Sequence, residues 1–347
     1  MDIRVNNWTD GVALGADLGY GNAKSVYCTP DGVVRDVVLP VGAAPVDLAS
    51  KGLNDTVDAE NGAVVLVGGK KWVAGVSPFS LQAFSRPTHE NYPLTDEYLA
   101  LFYALLAKTG ASRISQLVTG LPVSQYYADN GKIRSRLEQR LVGLHHVSAD
   151  RHVTVDRVMV LPQPTGAYQA QRALDPAFAS AADTVTLVID VGYYSVDWVL
   201  VDKNGRVMDR YSKSSQLATA TILEEAAKQI SVANRGLKLS AAKLESAYRA
   251  GLDTISLAGN PVSFLPYLDA AAVSISKDVM KVLATSINSF DNTPDFILLV
   301  GGGAQLYRRA IEATFGPTIG APDGRGVLAN AYGFWRVAQH LSSQARK

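Results

Sequence analysis

Leu14-Gly-Ala-Asp-Leu-Gly-Tyr-Gly-Asn-Ala-Lys-Ser-Val26 and, far along the chain, Leu187-Val-Ile-Asp-Val-Gly-Tyr-Tyr-Ser-Val-Asp-Trp-Val199 share one pattern. Each is an apolar strand ending in Asp-x-Gly, then a small or polar turn, then a second strand. Such a repeat implies a duplicated domain whose two hairpins grip phosphate around one nucleotide. Glycine lets backbone N–H groups approach phosphate oxygens closely. A carboxylate at a strand end can hold Mg2+, often through water.

The 347 residues are enough for two domains, and 47% hydrophobic with 19% charged residues is an ordinary globular balance. A net charge of +1 gives no nucleic-acid footprint, so no direct nucleic-acid contact is expected. The single cysteine, Cys28, cannot form an internal disulfide and reads as a buried, inert thiol. Met1 to Asp10 is polar, without the apolar run of a signal peptide. No stretch approaches the ~20 apolar residues of a membrane span. The expectation is a cytoplasmic protein with no membrane partner.

Residues 12–40 alternate as strands around a Pro30-Asp31-Gly32 turn. Short strands are expected at Ala63–Val67 and Lys71–Val76, joined around Gly68-Gly69, inside a small variable subdomain of about 30–93. Thr95 caps a helix running to Lys108 and stopped by Gly110. Ser115–Leu121 is a buried strand. Residues 129–142 read as a helix whose Lys132, Arg134, Arg136 and Arg140 form a solvated face. A strand at 157–161 leads through Pro162-Gln163-Pro164-Thr165-Gly166 to a helix at 167–174, then an Ala/Asp linker at 175–183. Beyond the second hairpin, helices are expected at 215–230, 241–250, 266–290, 305–314 and 327–340, with an apolar strand at 296–300 running into Gly301-Gly302-Gly303. The pattern is α/β and duplicated. The expected division is 1–168 with 320–347, and 169–319 with a subdomain of about 212–290.

These motifs, in this order, resemble the actin superfamily, and most nearly the plasmid-segregation actins and the actin-like proteins of archaea. Asp17 to Lys24 resembles the first phosphate loop, Asp190 to Asp197 the second, and Val300 to Gln305 the adenosine loop. Gly120 to Tyr127, Leu161 to Tyr168 and Pro322 to Gly333 resemble the cleft-lining segments and the last connecting helix. The resemblance implies an actin-like (ribonuclease H-like) two-domain fold with an interdomain nucleotide cleft, taking ATP and Mg2+. It implies that Asp17 and Asp190 hold the metal, with Asp190 also orienting the attacking water. Lys24 would point to the β/γ-phosphates and Gln163 would align water, an orienting rather than a basic contribution. The first loop would bind through Gly19, Tyr20, Gly21 and Asn22, and the second through Gly192, Tyr193, Tyr194, Ser195 and Asp197. Tyr193 and Tyr194 stand where the family carries small residues, leaving Ser195 or backbone N–H groups for the phosphate. Asp197 would bond the loop or a Mg2+ water. Glu224 and Lys228, spaced as an ordinary helix ion pair, would reach the ribose, with Glu225 a competing choice. Gly301, Gly302, Gly303 and Gln305 would pass beside adenine.

His145, His146 and His152 lack companion Cys or carboxylates at ligand spacing and read as surface histidines. Ser124 and Ser195 have no His–Asp arrangement for a hydrolase triad. The expected function is an ATPase that assembles head to tail with itself and hydrolyses ATP to destabilise the filament. The resemblance adds plasmid segregation through a separate DNA-binding adaptor. The alternatives are a non-polymerising scaffold or chaperone, and a small-molecule kinase of the same superfamily.

Overall fold

A computed structural model of the chain describes residues 11–49, 62–81, 89–321 and 326–345. Met1 to Asp10, parts of the 30–93 subdomain and the start of the Pro322 to Gly333 stretch lie outside the described residues. The chain forms two compact units. One runs to Ala182 and resumes at Ala321; the other is Asp183–Gly320, inserted between those parts. The change of unit falls in the Ala/Asp linker rather than at 168/169. That earlier point lies inside the helix Gln163–Leu174, which packs on the last helix, Ala329–Gln344. The linker is not wholly irregular. Asp175 caps a short helix, Pro176–Ser180, accepting from the N–H groups of Ala177 and Phe178.

The sheets of the two units have the same plan. In the first, Val34–Pro40, Asn22–Cys28, Val12–Leu18 and Arg113–Leu121 lie side by side, and Val158–Pro162 pairs with the C-terminal part of Arg113–Leu121. In the second the order is Lys213–Ser215, Val196–Val201, Thr186–Val191, Phe296–Val300 and Ile319–Gly320. In both, the first two pairings are antiparallel and the next two parallel. The sequence repeat is therefore a repeat of topology. Parallel neighbours need a crossover, and the helix Asp96–Thr109 lies within one of them. Thr95 caps it by accepting from Tyr98 N–H, and Gly110, at φ 76, ends it in the left-handed region.

The core of the first unit is unusually tight where three elements cross. A Cβ on Gly15, in Val12–Leu18, would lie 2.2 Å from Ala331 O and Trp335 N. One on Gly166 would meet Asn330 O at 2.6 Å, and one on Gly333 would meet Gly166 O at 1.7 Å. Strand and helices touch backbone to backbone. The second unit instead buries a large apolar cluster around Trp198, Phe264 and Tyr307.

Two hairpins escaped the sequence reading. Thr254–Leu257 pairs with Asn260–Ser263 through a two-residue turn in which Ala258 (φ 48) and Gly259 (φ 83) are both left-handed. Alanine is a poor signal for that turn. The other, Gly143–Ser148 with Arg151–Val155, carries the histidines. His145 is not a surface residue, because strand alternation turns it inward beside Val147 and Val153. Its Nε2 lies 2.9 Å from Leu141 O, which can only accept, so Nε2 carries the proton and Nδ1 accepts from the Tyr103 hydroxyl at 3.2 Å. Arg140 also departs from a purely solvated face: it donates to Leu94 O at 2.6 Å and to Asp96 at 2.8 Å.

Burial pushes the His145 pKa down, and the neighbouring His146 adds to the effect. The folded state thus holds the neutral ring more firmly than the unfolded chain does. Its contribution to stability is complete above the unfolded value of about 6.5 and is lost as pH falls through the lower folded value. Urea midpoints should therefore fall between pH 7.5 and pH 5, with a smaller fall in His145→Phe. Equal pH slopes in the two proteins would rule out this assignment.

Candidate functional site

The two Asp-x-Gly turns close identically. Gly19 N–H donates to Asn22 O at 3.1 Å, and Gly192 N–H donates to Ser195 O at 2.9 Å. In register, Asp17 faces Lys24 and Asp190 faces Asp197. Cross-strand partners share a face of the sheet. The same position thus holds opposite charges in the first hairpin and like charges in the second.

In the first hairpin Asp17 is 2% exposed and pairs with Lys24 Nζ at 2.6 Å. Its other oxygen accepts from Gln163 Nε2 at 2.9 Å. The structure thus brings together three residues that lie far apart in sequence. Gln163 is not in a loop: it opens the helix Gln163–Leu174, and Pro164 is tolerated in the first turn, where its missing N–H costs nothing. Tyr98 lies behind Asp17, fully buried. Burial pushes its phenol well above the usual range, and the Asp17 charge adds to the rise. In the sequence, Tyr98 is marked only by its place in the helix that Thr95 caps.

Tyr20 is turned inward. Its ring lies 4.8 Å from that of Tyr92, and its hydroxyl donates to His89 O and accepts from Gln125 Nε2. Gly19, Gly21 and Asn22 are half-buried around the turn.

In the second hairpin, Asp190 and Asp197 are both buried. Asp197 accepts from the hydroxyls of Ser195 and Ser214. The Ser195 proton is therefore directed at Asp197, and the expected hydroxyl contact to phosphate would require the side chain to turn. Tyr193 packs against the apolar core of this unit, and Tyr194 is half-buried. The triple glycine meets this hairpin directly. Gly303 N–H donates to Val191 O at 3.0 Å, and a Cβ on Gly301 would lie 2.4 Å from Asp190 Oδ1. A Cβ on Gly303 would collide with Thr219 Oγ1 at 2.1 Å. Thr219 opens the helix Thr219–Ala233 and bonds Gly192 O, while Ala220 N–H donates to Tyr193 O. The helix expected from 215 begins here because Lys213–Ser215 is a strand.

Glu224 and Lys228 are exposed on that helix and line a groove of about 690 Å³ with Lys238, Ser240 and Lys243. Lys228 approaches Glu225, at 4.0 Å, rather than Glu224. Gln305, exposed in the first turn of Ala304–Phe315, accepts from Arg308 at 3.3 Å.

Chemically, the second hairpin presents two carboxylates on one face at a strand end, a donor set suited to a hard divalent cation such as Mg2+. The first presents a carboxylate already neutralised by an ammonium.

Residues 15–166 match the model of the N-terminal domain of actin-like proteins, and residues 188–313 match the C-terminal domain of the MreB-like archaeal actin homologues. The chain is an actin-like protein. No curated protein matches it. Among solved structures, this actin-like protein is similar to an archaeal actin homolog in complex with ADP, at 17% identity over 94% of this chain and 99% of that one, with a TM-score of 0.70. It is similar to a non-polymerisable quadruple mutant of pCBH ParM, at 19% identity, 95% and 100% coverage and a TM-score of 0.73. A third similar structure is the ParM of a 15-stranded filament from Clostridium botulinum, at 18% identity, 96% and 100% coverage and a TM-score of 0.70. At such identities the likeness shows the two-domain actin-like fold. Among the described residues, no helix is long and apolar enough to cross a membrane.

Proposed function

We propose that this actin-like protein is a slow ATPase that binds ATP with Mg2+, assembles head to tail into filaments and hydrolyses ATP to destabilise them. Its cargo would be plasmid DNA, held through a separate DNA-binding adaptor. The observation that carries this reading is the pair of Asp-x-Gly turns with one geometry, the second locked against Gly301 and Gly303. Such turns suit phosphate oxygens, and a triple glycine after an apolar strand suits a flat base.

Asp17 and Asp190 would hold Mg2+, whose charge offsets that developing on the transferred phosphoryl group. Lys24 would leave Asp17 for the phosphates, and Gln163 would place the attacking water. An amide is a poor base, so turnover would be slow, which suits a timer better than a metabolic enzyme. The similar ParM found in a filament supports self-association, and the similar homolog with ADP supports adenine nucleotide. The near-neutral charge agrees with indirect contact to DNA.

Sedimentation with ATP and Mg2+ tests the proposal. Pelletable polymer should form with ATP, be absent without nucleotide, and dissolve as phosphate is released. Phosphate release with no polymer at any protein concentration would favour the scaffold or kinase readings instead.

A further inference from the structure

The hairpin Gly143–Ser148 with Arg151–Val155 forms an edge of the first unit's sheet. Strand alternation turns His145, Val147, Val153 and Val155 inward and leaves His146 and His152 exposed. His146 and His152 are register partners, with ring centroids 4.5 Å apart and planes at 83°. The nucleotide reading uses neither. Cross-strand packing alone accounts for two rings in contact. Two imidazoles facing solvent have a second property, since each neutral ring offers one nitrogen lone pair.

Metal–nitrogen bonds of about 2.0–2.1 Å place two ligating nitrogens roughly 3 Å apart. Rings at this separation reach that span by side-chain rotation, on Cα positions already fixed by the strands. We propose that His146 and His152 form a two-ligand site for a first-row divalent transition metal, Zn2+, Ni2+ or Cu2+. Imidazole suits these ions, whereas Mg2+ prefers oxygen, so Mg2+ does not compete. His145 takes no part, because both of its nitrogens are engaged in the interior. Among the described residues no third His, Cys, Asp or Glu completes a cluster. Water fills the remaining positions, and the site binds more weakly than a closed four-ligand one.

Calorimetric titration of untagged, nucleotide-free protein with Zn2+, and separately Ni2+, in excess Mg2+ tests this. The parent should show one saturable site per chain. His146→Ala and His152→Ala should each weaken it about 100-fold, the expected loss when a chelate becomes a single ligand. His340→Ala, at an exposed histidine on the last helix, should leave it unchanged. Melting without metal shows whether each variant is folded. Absence of saturable binding by the folded parent overturns the proposal. So does a parent-like isotherm in either folded alanine variant, which would leave the pair as hairpin packing only.

Discussion

Gly333→Val is expected to destabilise the first unit by at least about 3 kcal/mol, a large part of a domain's usual 5–15. Any Cβ at this position would sit 1.7 Å from Gly166 O, with Ala170 N a lesser obstacle at 3.0 Å. Both obstacles are backbone atoms of the helix Gln163–Leu174, so no side-chain rotation relieves the clash. The last helix would have to move away, and it also rests on Gly15 through Ala331 and Trp335. Overpacking would therefore spread to the central strand that carries Asp17. Gly320→Ala is the matched control: a Cβ there meets nothing within 4 Å. Urea unfolding should separate the two variants widely. Coincident curves for Gly333→Val and the parent would show that the helices do not cross as closely as described.

The second large effect is expected at Asp190. Under the proposed function, Asp190→Ala keeps binding ATP but releases phosphate at least about 100-fold more slowly, and its filaments persist. The carboxylate lies at the strand end against Gly301, opposite Asp197. Removing it takes away a metal-holding and water-orienting group while leaving the Gly192–Ser195 turn, closed by its own backbone bond, in place. Nucleotide affinity and turnover should therefore part company. A variant that releases phosphate as fast as the parent would remove Asp190 from the chemistry.

Much of this was legible because two turns repeat. Asp-x-Gly recurs between two apolar strands, and both recurrences are hairpins, in which the structure pairs Asp17 with Lys24 and Asp190 with Asp197. Thr95 and Gly110 marked their helix by capping chemistry that acts locally. What stayed hidden depends on contacts between distant residues. Nothing near Gln163 tells that its amide reaches Asp17, or that two prolines flank a helix start rather than a loop. Nothing near Ser195 tells that its hydroxyl donates to Asp197, which also accepts from Ser214. Tyr20 reads as a loop residue until Tyr92 and Gln125 are found beside it. Gly15, Gly166 and Gly333 did carry a signal. Glycine inside a strand or helix weakens the element, and a close backbone approach is the usual reason for keeping it.

The insertion of Asp183–Gly320 within the other unit has an outcome for synthesis. A ribosome delivers the inserted unit whole, able to condense as soon as it clears the exit tunnel. The first unit emerges earlier yet must wait for Ala329–Gln344 before Gly15 and Gly166 are covered. The order of maturation is therefore the reverse of the order of translation, and the half-made first unit is the stage at which a nascent chain most needs a chaperone.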